Sequence, residues 1–292
     1  MPWQLAIGLS ILAGATMTLI KRRYALRSSV PETFPSAVSY LCGVMPVGIV
    51  IGLSLPHRIY WSGWLGFLLL LCASSMAVGS WISFRAVKLL PVAAYQTIGC
   101  FTNVVAIALG WVVLGEGLSP LQLGGTAILL LAAVLASLAP AKDLKTLEHG
   151  IHTRAVLLTL LACTAIAVSL VTEKGVLGHA TVGGVLLAGW GSQTFAMLLL
   201  ALKDVNRANV RAFRPKEIKW SVLIGLANGT GGAFYVYALQ RSNNVSLIIA
   251  LTAISLPLTV LGAHALLGER DNNKLMWLGL SLGFAGLLLT AL

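Results

Sequence analysis

The sequence predicts an all-α integral membrane protein, with ten transmembrane helices arranged as two inverted five-helix repeats. Three observations carry this. The 292 residues are 58% hydrophobic and only 10% charged, with a mean hydropathy of +0.89, which leaves too little polar surface to cover a globule in water. The apolar residues fall into ten windows, each close to the roughly 20 residues that a spanning helix needs. The ending of one apolar run also recurs: "VVLGEGLSP" around Gly115 and Glu116 returns 153 positions later as "ALLGERDNN" around Gly268 and Glu269.

The windows of the first half cover about 3–20, 34–55, 62–84, 91–114 and 119–139, and those of the second about 154–173, 181–202, 219–240, 244–267 and 274–292. They are about twice as long as a membrane β-strand and lack its alternation, so they read as helices. The first window follows Met1–Gln4, which carry no basic residue, and runs straight into "KRRYALR". It reads as a span rather than a cleavable signal. The fourth is led by Pro91, and the fifth opens on Ser119-Pro120, an N-cap followed by a proline at the first helical position. The division expected is a first repeat over 1–140, a linker over 141–153 and a second repeat over 154–292.

Sliding the chain on itself by 153 residues places Gly115-Glu116 on Gly268-Glu269, Lys21 on Lys174, Gly79 on Gly232, Trp81 on Phe234, Phe84 on Tyr237 and Lys88 on Arg241. One ungapped offset serving sites this far apart argues for duplication of a five-helix unit. Five is odd, so the second copy enters the membrane from the opposite side, the arrangement in which rocking halves give alternating access to a midplane site.

The net charge of +11 does not mark a nucleic-acid partner here, because the basic residues sit in the connections. Seventeen of the 20 Lys and Arg residues lie in odd-numbered connections, and only Arg58, Lys174 and Arg241 lie elsewhere. That bias puts the odd connections in the cytoplasm and both termini outside. The basic stretch from Lys203 to Lys219 reads as a solvated cytoplasmic loop beside anionic lipid.

Enzymatic and metal chemistry find little to stand on. Cys42, Cys72, Cys100 and Cys163 lie in apolar windows without a CxxC pair, and the five histidines show no ligand spacing, so no metal or cofactor is expected. "GWGSQ" at Gly189 to Gln193 lacks the GxSxG spacing and sits within a helix, leaving Ser192 with His264 a remote hydrolytic pair. Asn228 and Asn244 match glycosylation acceptors but fall in predicted helices.

"TLIKRRY" and "LVTEKGV" closing the first helix of each half, the helix "LLPVAAYQTIGCFTNVVAIALGWVVLGE" and its partner "NNVSLIIALTAISLPLTVLGAHALLGE" resemble the two EamA repeats of the drug/metabolite transporter superfamily, over essentially the whole chain. The resemblance implies a ten-helix carrier in a bacterial inner membrane. Its central cavity would be formed mainly by the first, third, fourth, sixth, eighth and ninth helices. Members move amino acids, sugars, nucleobases, choline-like cations and drugs. Three departures stand out: the first helix lacks the acidic residue of the four-helix multidrug relatives, the second lacks the arginine with which many members begin, and the charge bias puts the termini outside where many bacterial relatives have them in the cytoplasm.

Polar groups at membrane depth are the candidates for the cavity. Gln96, Gly99, Cys100 and Asn103 share one face of the fourth helix, and Asn228, Gly231, Gly232 and Tyr235 repeat that spacing in the eighth. Ser74 and Trp81 share a stripe of the third, and Thr252 and Ser255 lie in the ninth. Such groups can line a cavity or serve as interhelical hydrogen bonds worth roughly 0.6–2 kcal/mol each. Substrate contact is assigned to Gln96, Asn103, Asn228, Trp81, Tyr235, Tyr95, Tyr237 and Thr252. Their aromatic rings lean toward an amino acid or another uncharged or zwitterionic aromatic solute, moved outward by a monomeric carrier. A lipid-linked solute flippase and a non-transporting structural membrane protein are the rivals.

Lys21 and Lys174 are expected to snorkel at helix ends, with an anion-binding role as the alternative. Glu116 and Glu269 are expected to favour the helix N-termini that follow them. All nine acidic residues are read at helix ends or in connections. Facilitated diffusion or exchange is therefore expected, with His264 the one candidate for proton coupling.

Overall fold

The computed structural model describes all residues except 29, 116–118, 139–148, 243–247, 249–250, 253–254, 269–273 and 292. Glu116, Glu269, Asn244 and most of the expected linker thus lie outside the described residues. The described chain is helical throughout: α1 (Trp3–Ala25), α2 (Thr33–Ser54), α3 (Gly63–Leu89), α4 (Val92–Gly99), α5 (Phe101–Leu114), α6 (Pro120–Leu138), α7 (His149–Leu177), α8 (Val182–Leu202), α9 (Arg207–Ala212), α10 (Pro215–Ser242), α11 (Ser255–Gly262) and α12 (Lys274–Ala291). Among the described residues, seven helical stretches are long and apolar enough to cross a membrane. Shorter apolar stretches lie at Leu123–Ala132, Leu258–Leu267 and Trp277–Gly286.

Local chemistry sets the breaks. Proline at 91 forces Leu90 into an extended backbone (φ −112°, ψ 145°), which ends α3 and lets α4 start afresh. Gly115 (φ 68°) and Gly268 (φ 69°) both take the left-handed conformation that closes a helix, and their N–H groups bond back to Gly110 and Ala263 carbonyls. Only glycine adopts this without strain. The doubled Leu-Gly-Glu therefore marks the same helix stop in each half. Pro120 opens α6, where its missing N–H costs nothing.

The two halves interlock. The most extensive helix pairings join α3 to α7, α1 to α10 and α6 to α12, so the third span of each half packs on the first span of the other. Lipid offers helices no hydrophobic reason to associate, so close contact between small residues does the work. A Cβ on Gly43 or Gly225 would strike the other's backbone, and α2 and α10 touch there. Gly52 and Gly183 bring α2 against α8, where a Cβ on Gly183 would lie 2.7 Å from the Gly52 carbonyl oxygen. At that end the connections pair as an antiparallel bridge between Ile59 and Ala180, with Thr181 N–H donating to Arg58 O at 3.0 Å.

Large apolar side chains such as Leu70, Val112 and Leu266 remain about 70% exposed, a perimeter suited to lipid rather than water. Replacing Gly225 by alanine should lower the thermal midpoint of the detergent-solubilised protein, at an overpacking cost of about 1–3 kcal/mol, because the new methyl meets the Ser39 carbonyl. Gly8→Ala, where nothing lies within 4 Å, should leave the midpoint unchanged. Equal midpoints for the two variants would show that the contact is not tight.

Candidate functional site

Polar and charged side chains point inward from both halves and line two adjoining chambers. The first, about 190 Å³, is bounded by Ser10 and Gly14 of α1, Tyr40 of α2, Glu173 of α7, Trp190 and Gln193 of α8, and Asn228 and Tyr235 of α10. The second, about 310 Å³, is bounded by Thr18 and Lys21 of α1, Ser80, Ser83 and Phe84 of α3, Tyr95 and Gln96 of α4, Thr102 of α5 and Cys163 of α7. Tyr40, Met76, Leu170 and Asn228 border both. The two chambers adjoin at those four side chains, here called the waist.

Around the first chamber the positioning is tight. Trp190 is slotted between two glycines: a Cβ on Gly48 would lie 2.9 Å, and one on Gly232 3.0 Å, from its ring. So held, its indole N–H donates to the Glu173 carboxylate at 3.3 Å. Gln193 Nε2 donates to Cys72 Sγ at 3.3 Å, and the Tyr40 hydroxyl lies 3.1 Å from Ser80 Oγ. A π-helical turn over Tyr40–Val44 and another over Val185–Gly189 interrupt α2 and α8 beside this chamber. Such turns concentrate at functional sites.

In the second chamber the Lys21 ammonium donates to Ser83 Oγ at 2.7 Å and stands 4.1 Å from the centre of the Phe84 ring. Ser83 Oγ lies 2.5 Å from the Tyr95 hydroxyl. Gln96 Nε2 reaches Thr18 Oγ1 at 3.4 Å and Thr259 Oγ1 of α11 at 3.3 Å.

Of the residues singled out in the sequence, Gln96, Tyr95, Asn228 and Tyr235 line these chambers. Gly99, Gly231 and Gly232 line them as well, whereas Trp81, Asn103, Tyr237 and Thr252 do not. Trp81 carries cations instead, with Lys203 Nζ 3.6 Å and the Arg85 guanidinium 4.9 Å from its ring, as an electron-rich indole face favours. Its neighbours form an outer cluster in which Arg85 pairs with Glu32 at 3.2 Å and Thr33 donates to Asp204 at 2.6 Å. Asn103 is buried but faces neither chamber. Tyr237 donates its hydroxyl to the Met1 carbonyl, Thr252 lines neither chamber, and His264 is exposed on the π-helical turn after α11. Ser192 bonds the Gly189 carbonyl within α8 and borders neither chamber.

Two expectations about charge are corrected. Lys21 does not snorkel: it is 6% exposed and turned onto Ser83. Glu173 does not end its helix: α7 continues to Leu177, and the carboxyl is 5% exposed at the wall of the first chamber. The second and seventh apolar windows also contribute walls, through Tyr40, Trp190 and Gln193, whereas no described residue of the ninth lines either chamber. The signal that could have found Glu173 was its company: the apolar pair Val176-Leu177 after Lys174-Gly175 lets the helix run one turn past the carboxylate, and it does.

A third hollow of about 360 Å³, lined by Glu32, Arg85, Lys88, Leu89, Arg154 and Leu158, shares no lining residue with the chambers. Cys72, Cys100 and Cys163 are buried and Cys42 is exposed.

Comparison with known proteins places this architecture. A search of curated protein sequences finds no match. A solved crystal structure, one of 28 matching chains, superimposes with a TM-score of 0.68 at 17% identity, covering 98% of this chain and 95% of that one, a likeness of fold alone. The model of the EamA-like transporter family matches twice, over residues 3–138 and 153–292. With both segments accounted for by one family model and, among the described residues, seven helices fit to cross a bilayer, the chain is an integral membrane protein that belongs to the EamA-like transporter family.

Proposed function

We propose that the protein is a secondary transporter that moves a small polar metabolite by alternating access, through ten spans arranged as two inverted repeats. One observation carries the reading. The chambers meet at Tyr40 and Met76 from the first matched segment and Leu170 and Asn228 from the second, so rocking one half against the other would open the waist to one side at a time. The reciprocal packing of α3 on α7 and α1 on α10 supports the inverted pairing. Tyr40, Tyr95, Trp190 and Tyr235 give the walls aromatic faces with polar edges, a lining suited to an aromatic amino acid or a related uncharged or zwitterionic solute. The third hollow, basic but sharing no wall with the chambers, favours a soluble solute over a flipped lipid.

Proteoliposomes preloaded with L-phenylalanine should take up labelled L-phenylalanine in counterflow, and protein-free vesicles should not. Asn228→Ala and Gln96→Ala should each raise the half-saturating concentration by roughly 3- to 10-fold, the value of a lost hydrogen bond, whereas Asn103→Ala should leave it unchanged. Wild-type kinetics in the first two variants would remove them from the substrate path. For orientation, a chain without native cysteines carrying Arg211→Cys should resist an impermeant maleimide added to intact cells. Labelling from outside would reverse the assignment of the termini.

A further inference from the structure

Two buried side chains of opposite charge border the chambers, and they are not partners. Glu173 accepts from the Trp190 indole, and Lys21 donates to Ser83. Among the described residues Arg85 pairs with Glu32, and neither buried charge lies within salt-bridge reach of a counter-ion. A charge kept out of water needs a compensating partner. Their separation follows from the register of α3 on α7. Ser169 Oγ donates to the Cys72 carbonyl, and Gly175 rests against Leu68, which sets Glu173 opposite the stretch between Leu68 and Cys72. The Lys21 ammonium sits on Ser83, farther along α3. About 13 residues of helix at 1.5 Å each separate the two levels on α3 by roughly 15–20 Å, and neither side chain closes that span onto the other.

The surroundings match each charge to a different ligand group. Around Glu173 stand Trp190, Tyr40 and Tyr235, aromatic faces beside a carboxylate, a setting that suits an organic ammonium group. Around Lys21 stand Ser83 and Tyr95, hydroxyls joined to one another and to the ammonium, with Thr18 and Gln96 on the same chamber wall, a setting that suits a carboxylate. We infer that the path holds two charge stations, an ammonium station at Glu173–Trp190 and an oxyanion station at Lys21–Ser83–Tyr95, and that a compact zwitterion engages them one after the other. An α-amino acid carries its two charges on adjacent carbons and cannot reach both stations at once. This deepens the transport reading above and rests on it for the order of passage.

The test uses the purified full-length chain and three probes of one shape: phenethylamine with only the ammonium, 3-phenylpropionate with only the carboxylate, and L-phenylalanine with both. Each should raise the thermal midpoint of the unaltered protein. Glu173→Gln should weaken phenethylamine about tenfold or more, the value of a charge-assisted hydrogen bond, and leave 3-phenylpropionate unchanged, with Lys21→Met doing the reverse. In the unaltered chain, phenethylamine but not 3-phenylpropionate should protect Glu173 from dicyclohexylcarbodiimide, read by mass spectrometry, a measurement that stands even where a variant fails to fold. The stations are overturned if no probe binds, if both variants weaken both probes alike, or if the two probes protect Glu173 equally. Counterflow of L-phenylalanine indifferent to both variants would overturn the stations and leave transport standing. Station-specific binding without counterflow of L-phenylalanine would sustain the stations and count against transport of that solute.

Discussion

Close backbone contact at glycine is the constraint on which the rest of this structure depends. In lipid, helices gain nothing by hiding apolar surface from one another, so they associate through packing contact and interhelical polar bonds. Gly43 against Gly225 and Gly52 against Gly183 draw α2 onto α10 and α8 at distances that any side chain would prevent. Gly48 and Gly232 then form the slot in which Trp190 is held. The indole points at Glu173 because those glycines leave it little other position.

That tight frame makes an interior with room for polar groups worthwhile. With no water in the bilayer core, a buried hydroxyl or amide must find its partner within the protein or face a cavity. Many serines and threonines solve this locally by bonding the carbonyl one turn back, as Thr97, Thr159 and Thr172 do. The remaining polar groups collect around the chambers, where Lys21, Ser83 and Tyr95 form one connected set and Gln96 ties α4 to α1 and α11. The same residues therefore hold the helices in place and line the path, so their substitution should be read against folding as well as solute handling.

The fold was legible in the sequence wherever a local rule applied. Pro91, Gly115, Pro120 and Gly268 each dictate a break through their own backbone chemistry, and the structure breaks there. The site was legible in part. Gln96 and Asn228 could be found because a carboxamide at membrane depth is costly unless it has a partner. Trp81 and Asn103 lay on the expected stripes yet turned elsewhere, because a helical period relates residues to one another and not to the bundle axis. Glu173 and Lys21 were misplaced by a single turn of helix, since apolar windows end where hydropathy falls and α7 continues past that point to Leu177.

By itself the sequence determined that the chain is a helical membrane protein of duplicated design, because composition, window length and the 153-residue offset are properties of the chain alone. Only the tertiary structure decided which polar groups share a cavity. That depends on how α2, α8 and α10 rotate about their axes, and the rotation is set by glycine contacts between residues far apart in the chain, such as Gly43 and Gly225, 182 positions apart. No local pattern encodes such a contact, because each glycine's role is defined by the backbone it meets.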